Sequence, residues 1–350
     1  MKNPIYTITR TILVILLLGT SAKTNAQKTI NFEIADFNEV IELKGEKLHL
    51  EDPLMDPTGI ILSDTLFFIS NKGTDLAVDV ISINSGKTIS RFCKNGRGPG
   101  ELIGPFSKQY NYEEKDFMIE DAVGQKIVFY DLDMILADAP KKYNKVVHFK
   151  DSVMVHRVVK LKDGNFFCNL IGHKDGYMNC LLSSEGELVK FLDKYPKIKF
   201  PFNPEEGVNI FGPRLGISSS LDKVIMPYDY SGLISVYSYT GEKILEFIGP
   251  DYKELDLVYR NGSTSLTTRN ISTYNFPCSN SESFMVPYCG DNIRSAHTPA
   301  YHIFHFGFDG SILQHFKLDH FVTDIAVDWE NNIIYGINLD LEPCIYKFKF

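Results

Sequence analysis

Two histidines with nearby carboxylates are the residues best suited to catalysis in this sequence. His173 is followed by Asp175, and His297 is preceded by Asp291. Imidazole and carboxylate groups bind divalent metals, and histidine can act as a general base near neutral pH. The two histidines lie far apart without metal-ligand spacing, and a solvated loop histidine is the alternative at each position. A metal-assisted hydrolase or lyase is therefore a secondary hypothesis, with no resident metal or cofactor predicted.

A second group of residues could form a binding platform. The run Tyr228-Asp229-Tyr230 and Tyr288 combine with Arg214 and Arg294 to offer aromatic and charged surfaces. Tyrosine presents an apolar ring and a hydroxyl group while losing little conformational entropy on binding. Such a platform suits a sugar or a peptide. The alternative is that the tyrosines pack inside the fold.

The segment Asn95–Leu102 is rich in glycine and carries Arg97 and Glu101. A phosphate-binding loop would open a helix and continue into Lys-Ser/Thr, which does not follow here. Glycines instead let the backbone turn tightly between two strands. The segment is predicted to be a connector.

Six cysteines occur in the chain, and two of them are symmetric about a potential turn. A hairpin centred on Lys174 would set Cys168 opposite Cys180, within reach of a disulfide. Buried thiols are the alternative, and the sequence does not decide between them. No spacing of cysteine and histidine indicates zinc.

These residues must be positioned by strands, because an apolar run, a polar turn and a second apolar run recur six times at intervals of about 50 to 60 residues. The turns within the pairs lie at Asp64, Glu114, Asp163, Asp222, Glu282 and Asn331. A second hairpin is predicted after five pairs, at residues 84–86, 131–133, 184–186, 239–241 and 308–310. Four strands per repeat of this length are typical of a propeller blade.

The sixth repeat is short, since the chain ends after the strand Cys344–Phe350. An open edge strand is a liability, and residues 28–50, with the alternating stretch Val40–Lys44, can supply the missing strand. We therefore predict an all-β fold, a six-bladed β-propeller over residues 27–350 whose last blade is closed by an N-terminal strand. Separate sandwich domains are the alternative.

The segment Asn95–Leu102, followed by Pro105, resembles the inter-blade loop of NHL-type propellers. Asp324–Asp328 with Asn332–Tyr335 resembles the inner strand pair of that family, and Tyr335–Phe348 resembles the end of exported TolB-like propellers. The resemblance implies a six-bladed fold and an extracytoplasmic location, and it implies little about activity.

Loops between the second and third strands of a blade share a face with the inter-blade connections, and such loops commonly carry function. The two longest connections, Lys194–Arg214 and Pro250–Asn270, are expected beside this same mouth of the channel. The candidate ligand-binding residues on this face are Arg97, Glu101, Asp121, His173, Arg214, Tyr228, Asp229, Tyr288, Asp291, Arg294 and His297.

Residues 1–26 are predicted to be a cleaved signal peptide, with Lys2 and Arg10 before the apolar run Ile12–Leu18. The net charge of −8, without basic clusters, argues against nucleic acid as a partner. No transmembrane segment is predicted after signal cleavage. The sequence thus predicts a periplasmic or surface-exposed binding module or scaffold for an unknown protein, peptide or glycan, rather than an enzyme.

Overall fold

The computed structural model describes residues 27–137, 143–150, 153–293 and 299–350. The predicted signal peptide lies outside these ranges, so it stays a prediction. The chain begins with three short strands, β1 (Lys28–Asn31), β2 (Val40–Leu43) and β3 (Gly45–Lys47), and a 3₁₀ helix, Ile34–Asp36, lies between the first two. We call residues 28–47 the N-terminal strap.

The rest of the described chain forms six antiparallel blades, which confirms the predicted propeller. Blade 1 contains β4 (Pro57–Ser63), β5 (Leu66–Asn71), β6 (Leu76–Ser82) and β7 (Thr88–Lys94). Blade 2 contains β8 (Pro105–Asn111), β9 (Asp116–Asp121), β10 (Lys126–Asp131) and β11 (Lys145–His148). Blade 3 contains β12 (Met154–Lys160), β13 (Phe166–Ile171), β14 (Asn179–Leu182) and β15 (Leu188–Phe191).

Blade 4 contains β16 (Gly216–Ile217), β17 (Lys223–Pro227), β18 (Leu233–Ser238) and β19 (Lys243–Ile248). A separate hairpin follows, β20 (Leu257–Arg260) and β21 (Ser263–Leu266). Blade 5 contains β22 (Ile271–Tyr274), β23 (Cys278–Ser279), β24 (Ser283–Asn292), β25 (Ala300–Gly307) and β26 (Ile312–Val322). Blade 6 contains β27 (Asp324–Asp328), β28 (Ile333–Asn338) and β29 (Cys344–Lys349).

The second strand of each blade is buried on both faces, because neighbouring blades pack against both sides of the sheet. In β5, Phe67, Phe68 and Ile69 are each no more than 1% exposed. This burial explains the continuous apolar runs of the sequence, which a sheet with one wet face would interrupt with polar residues. The first strands contact one another around the ring and thereby line the central channel.

The N-terminal strap closes the last blade, as predicted, and it also extends two other blades. β1 pairs in parallel with β19, β2 pairs in parallel with β26, and β3 pairs antiparallel with β29. Within the predicted segment 28–50, the alternating stretch at residues 40–44 does not close the ring, because β2 pairs with β26 as the outermost strand of blade 5. The closing strand is Gly45–Lys47.

Two predicted loop features are refined by the structure. The expected hairpin turn at residues 131–133 is wrong, because Asp131 caps a short helix, α1 (Leu132–Leu136), by accepting the amide N–H of Met134. Cys168 and Cys180 are opposite each other in register on β13 and β14, as the spacing predicts, and both are buried thiols.

The two long inter-blade connections contact each other, as expected for loops beside one mouth. The first contains a second helix, α2 (Pro204–Phe211), with Asn203 as its N-cap. The second carries the β20–β21 hairpin. Thr264 of this hairpin donates its hydroxyl to the carbonyl of Pro201 at 2.7 Å and its amide to the Glu206 carboxylate at 3.2 Å.

Candidate functional site

Six residues, one from the innermost segment of each blade, lie at a similar level of the central channel. The backbone partners of five of them belong to the end of the second strand that faces the inter-blade connections, and the sixth, Phe276, follows Asn275, whose amide donates to Pro287 of β24. We call these residues the channel ring: Gly59, Lys108, Arg157, Arg214, Phe276 and Asp324.

Gly59 leaves room for a cation and a carboxylate from its two neighbouring blades. A Cβ atom at this position would lie 3.0 Å from Asp324 Oδ2 and 3.3 Å from Lys108 Nζ. Asp324 accepts the amide N–H groups of Ile60 and Ile325, both at 3.0 Å. These bonds tie the Asp324 carboxylate to the backbone of blades 1 and 6, and Lys108 forms no ion pair within 4 Å among the described residues.

Removal from water shifts the pKa values of both groups. Burial lowers the pKa of Lys108 to about 8 and raises the pKa of Asp324 to about 6. Both shifts have the sign that desolvation imposes on a charged group. Lys108 and Asp324 remain oppositely charged at neutral pH.

Two arginines flank Phe276 on the other side of the ring. The guanidinium carbons of Arg157 and Arg214 lie 4.8 and 4.6 Å from the centre of its ring. This distance is typical of a cation–π interaction, which orients a guanidinium without neutralising it. Arg214 also forms a bidentate ion pair with Asp229, whereas the buried Nε of Arg157 has no partner among the described residues.

Helix α2 determines how Arg214 enters the channel. The helix ends at Gly212, which adopts the left-handed conformation with φ of 55°. The carbonyl of Gly212 accepts the amide N–H of Asp229 at 3.0 Å, and Arg214 donates its own amide to the carbonyl of Pro227 at 2.9 Å. The inserted connection thus fixes the Arg214–Asp229 pair beside the channel.

Glu120 is a further carboxyl group near the ring. It is fully buried, and one of its oxygens accepts the amide N–H of Ser107 at 3.2 Å, while Oε1 has no partner among the described residues. Burial raises the pKa of Glu120 to about 8, so the neutral form predominates at pH 7.

A cavity of about 750 Å³ extends from the ring toward the hairpins that join the first and second strands. We call that end the hairpin mouth and the opposite end the connector mouth. Lys108, Phe276 and Asp324 line the inner part of the cavity, and exposed turn residues such as Asp64 and Glu330 surround the opening. The volume is within the range of small-molecule sites.

The wall of this cavity combines aromatic, aliphatic and hydroxyl groups. The aromatic side chains are Tyr110, Tyr112, Phe276 and Trp329, the sole tryptophan of the sequence. Ser107, Ser218 and Ser279 add hydroxyl groups. Such a wall can bury an apolar or sugar-like body while polar groups fix its orientation.

The predicted candidates at the connector mouth divide into several separate groups. Glu101 accepts the amide of Gly98 at 2.9 Å and pairs with Lys94, and these contacts stabilise the glycine-rich connector, on which Arg97 is exposed. Asp121 accepts the amides of Ile103, Gly104 and Gly124. Both carboxylates therefore organise the backbone of the connector.

His173 packs against aromatic rings of its own blade. Its ring lies 5.3 Å from Tyr177 and 4.3 Å from Phe191. Arg294 and His297 lie outside the described residues, so the proposed pairing of His173 with His297 is untested. Within the described ranges, no cluster of three or more His, Cys, Asp or Glu side chains is arranged to hold a metal ion.

The remaining candidates include one pair that the structure brings together, Arg214 and Asp229. Tyr228 and Tyr288 are each 4% exposed, as the packing alternative expects. The Tyr288 hydroxyl donates to Asp251 of the second long connection, and Asp291 is exposed near the end of β24.

Four channel-ring residues were not among the candidates predicted from the sequence: Lys108, Arg157, Phe276 and Asp324. The signal that could have found them is a charged residue within the first, channel-lining strand of a blade, such as Arg157 between Val155 and Val158. Charges are costly in such a strand unless they face a polar channel or a partner.

The described part of the chain contains no helix with the length and apolar character needed to cross a membrane.

No family model and no curated protein matches the chain. Solved structures do match. A protein from Bacteroides fragilis that is named as a candidate exported protein is 13% identical, with a TM-score of 0.58 over 92% of this chain and 99% of that one.

A member of the DUF4221 family from Bacteroides vulgatus is similar to the same degree. It is 10% identical, with a TM-score of 0.58 over 89% of this chain and 97% of that one. Identities this low establish a shared fold and nothing more specific. The comparisons therefore show that this chain shares its fold with these two proteins, and its ligand has to be inferred from the chemistry of the channel.

Proposed function

We propose that this protein is an extracytoplasmic binding module whose ligand enters the central channel at the hairpin mouth. The observation that carries the proposal is the 750 Å³ cavity, to which all six blades contribute. Four residues of the channel ring, Gly59, Lys108, Phe276 and Asp324, line it. A rigid closed ring of blades can keep such a site preformed, which reduces the entropic cost of binding.

The extracytoplasmic location is supported by the predicted signal peptide and by the exported character given to the Bacteroides fragilis neighbour. Fractionation of cells producing the full chain would test it. Recovery from the periplasm or surface of a form lacking residues 1–26 is expected, and full-length protein retained in the cytoplasm would contradict the proposal.

The binding function can be tested by a thermal-shift screen of the purified protein. The screen contains neutral glycans, peptides, organic anions and divalent metals, each with and without chelator. A ligand present at about 100 times its Kd stabilises the folded state by about 2.7 kcal/mol, which is measurable. At least one ligand is expected to stabilise the protein without a requirement for metal.

Two variants identify the mouth that is used. Ser219 is an exposed residue that lines the cavity, and Lys174 is exposed in the turn between the second and third strands of blade 3. Ser219→Trp is expected to abolish the shift by obstructing the hairpin mouth, whereas Lys174→Trp leaves it unchanged. The opposite result would contradict the proposal and favour the candidates at the connector mouth.

A further inference from the structure

The channel ring carries more positive charges than the neighbouring carboxylates neutralise. Arg214 is paired with Asp229. Asp324 is engaged by two backbone amides, and neither Lys108 nor Arg157 forms an ion pair with a described residue. Three cations therefore face two carboxylates, with Glu120 predominantly protonated at pH 7. A partly desolvated charge without a counter-ion is unfavourable, and it becomes favourable when an ion of opposite sign binds.

The aromatic contact of Phe276 has a specific consequence for Arg157. A carboxylate in that position would consume the N–H donors of the guanidinium, whereas the face of an aromatic ring leaves them free for a ligand. Arg157 directly precedes Val158, which lines the cavity, as Lys108 does. Phe276 also lines this cavity, and the Arg157 guanidinium lies against its ring, in the blade next to that of Lys108.

We propose, as an extension of the proposed function, that the cavity binds a ligand through an oxyanion, held by Lys108 and Arg157 at the channel ring. Carboxylate, phosphate and sulfate share the required chemistry, because each accepts charge-assisted hydrogen bonds from ammonium and guanidinium groups. The body of the ligand lies toward the hairpin mouth, against Tyr110 and Trp329.

The position of Trp329 provides a direct assay, since it is the sole tryptophan of the sequence and lines the cavity. Its fluorescence is titrated at constant ionic strength with sulfate, phosphate, acetate and benzoate, using sodium chloride as the reference salt. A saturable change with at least one oxyanion is expected. Saturation by sulfate and phosphate assigns a tetrahedral group, and saturation by acetate or benzoate assigns a carboxylate.

Lys108→Met and Arg157→Met are each expected to weaken this binding at least tenfold. Lys243→Met is the matched control, because Lys243 is a partly buried lysine on the outer strand β19 and pairs with Glu246 at 3.3 Å. It should bind within twofold of wild type. Thermal melts of every variant establish that it is folded, and Lys108→Gln replaces Lys108→Met if the latter is not.

Two results would overturn the oxyanion site. One is the absence of saturable binding by all four anions, and the other is unchanged affinity in both Lys108→Met and Arg157→Met. Either result leaves the proposed function standing if a neutral glycan or peptide still stabilises the protein and loses this effect in Ser219→Trp. If no ligand of the screen depends on the hairpin mouth, the proposed function itself fails.

Discussion

Phe32 anchors the N-terminal strap, and its removal should destabilise the propeller measurably. The side chain is 2% exposed, and its ring centre lies 5.0 Å from that of Phe306 and 5.9 Å from that of Phe304. Replacing a buried phenylalanine by alanine removes favourable burial and leaves a cavity, at a cost of about 3–5 kcal/mol. Phe32→Ala should therefore lower the free energy of unfolding by about this amount.

The corresponding change in Tm follows from the length of the chain. Residues 27–350 have an unfolding entropy of about 0.7 kcal/mol/K near 60 °C, so the expected decrease is about 4–7 °C. Calorimetry measures this shift, and limited proteolysis should show faster cleavage within residues 28–47. The control is Ile34→Ala, because Ile34 belongs to the same segment and is 42% exposed. Its expected effect is within about 0.5 kcal/mol. Equal melting of the two variants would refute the packing of the strap against blades 4 and 5.

Three further predictions concern the ring and the turns. Sulfate affinity should fall as the pH rises from 7 to 9, because Lys108 loses its proton near pH 8 and Glu120 becomes ionised in the same range. Fluorescence titration of Lys108→Arg/Glu120→Gln should give a flat profile over this range, which lies below the pKa of about 10 that burial gives Arg157. A fall equal to wild type would contradict the assignment. Asp121→Ala should reduce the free energy of unfolding by at least about 2 kcal/mol, because three backbone amides lose their acceptor. Urea denaturation should show a smaller reduction for Asp121→Asn, which keeps one acceptor oxygen. Gly186→Ala should melt at a lower temperature than Gly176→Ala. Both glycines have positive φ, but a Cβ at Gly186 would collide with the carbonyl of His148, whereas a Cβ at Gly176 would meet no atom within 4 Å. Equal melting temperatures would exclude that steric cost.

Much of the fold could be predicted because each blade is specified by local sequence. The turn at Asp64 and the apolar run after it are close in sequence, and the face-to-face packing of blades requires such runs in every second strand. The sequence could predict only that the strap pairs with an open strand edge; it could not predict which blade supplies that edge. Val40–Leu43 and Gly45–Lys47 both have exposed edges available, and which sheet each joins depends on the course of the chain around blades 4 to 6.

The candidate site was less predictable than the fold. Arg214 and Asp229 were selected individually from the sequence, and the structure shows them as an ion pair. Lys108 and Arg157 were not selected, because a charge in a β-strand gives no indication of whether it faces solvent or a channel. Glu101 and Asp121 carry polar side chains typical of a binding loop, yet their oxygens accept backbone amides of the connector.

The sequence by itself determined the repeat, the number of blades and the need for an N-terminal strand, since these follow from hydrophobic periodicity and from the cost of an open edge. Only the tertiary structure decided where charge accumulates. Lys108, Arg157, Arg214 and Asp324 are separated by tens of residues along the chain and belong to four different blades. They become neighbours because closing the ring brings every first strand to one axis. The resulting removal from water alters the pKa values of Lys108, Arg157 and Asp324 and underlies the proposed binding of an ion.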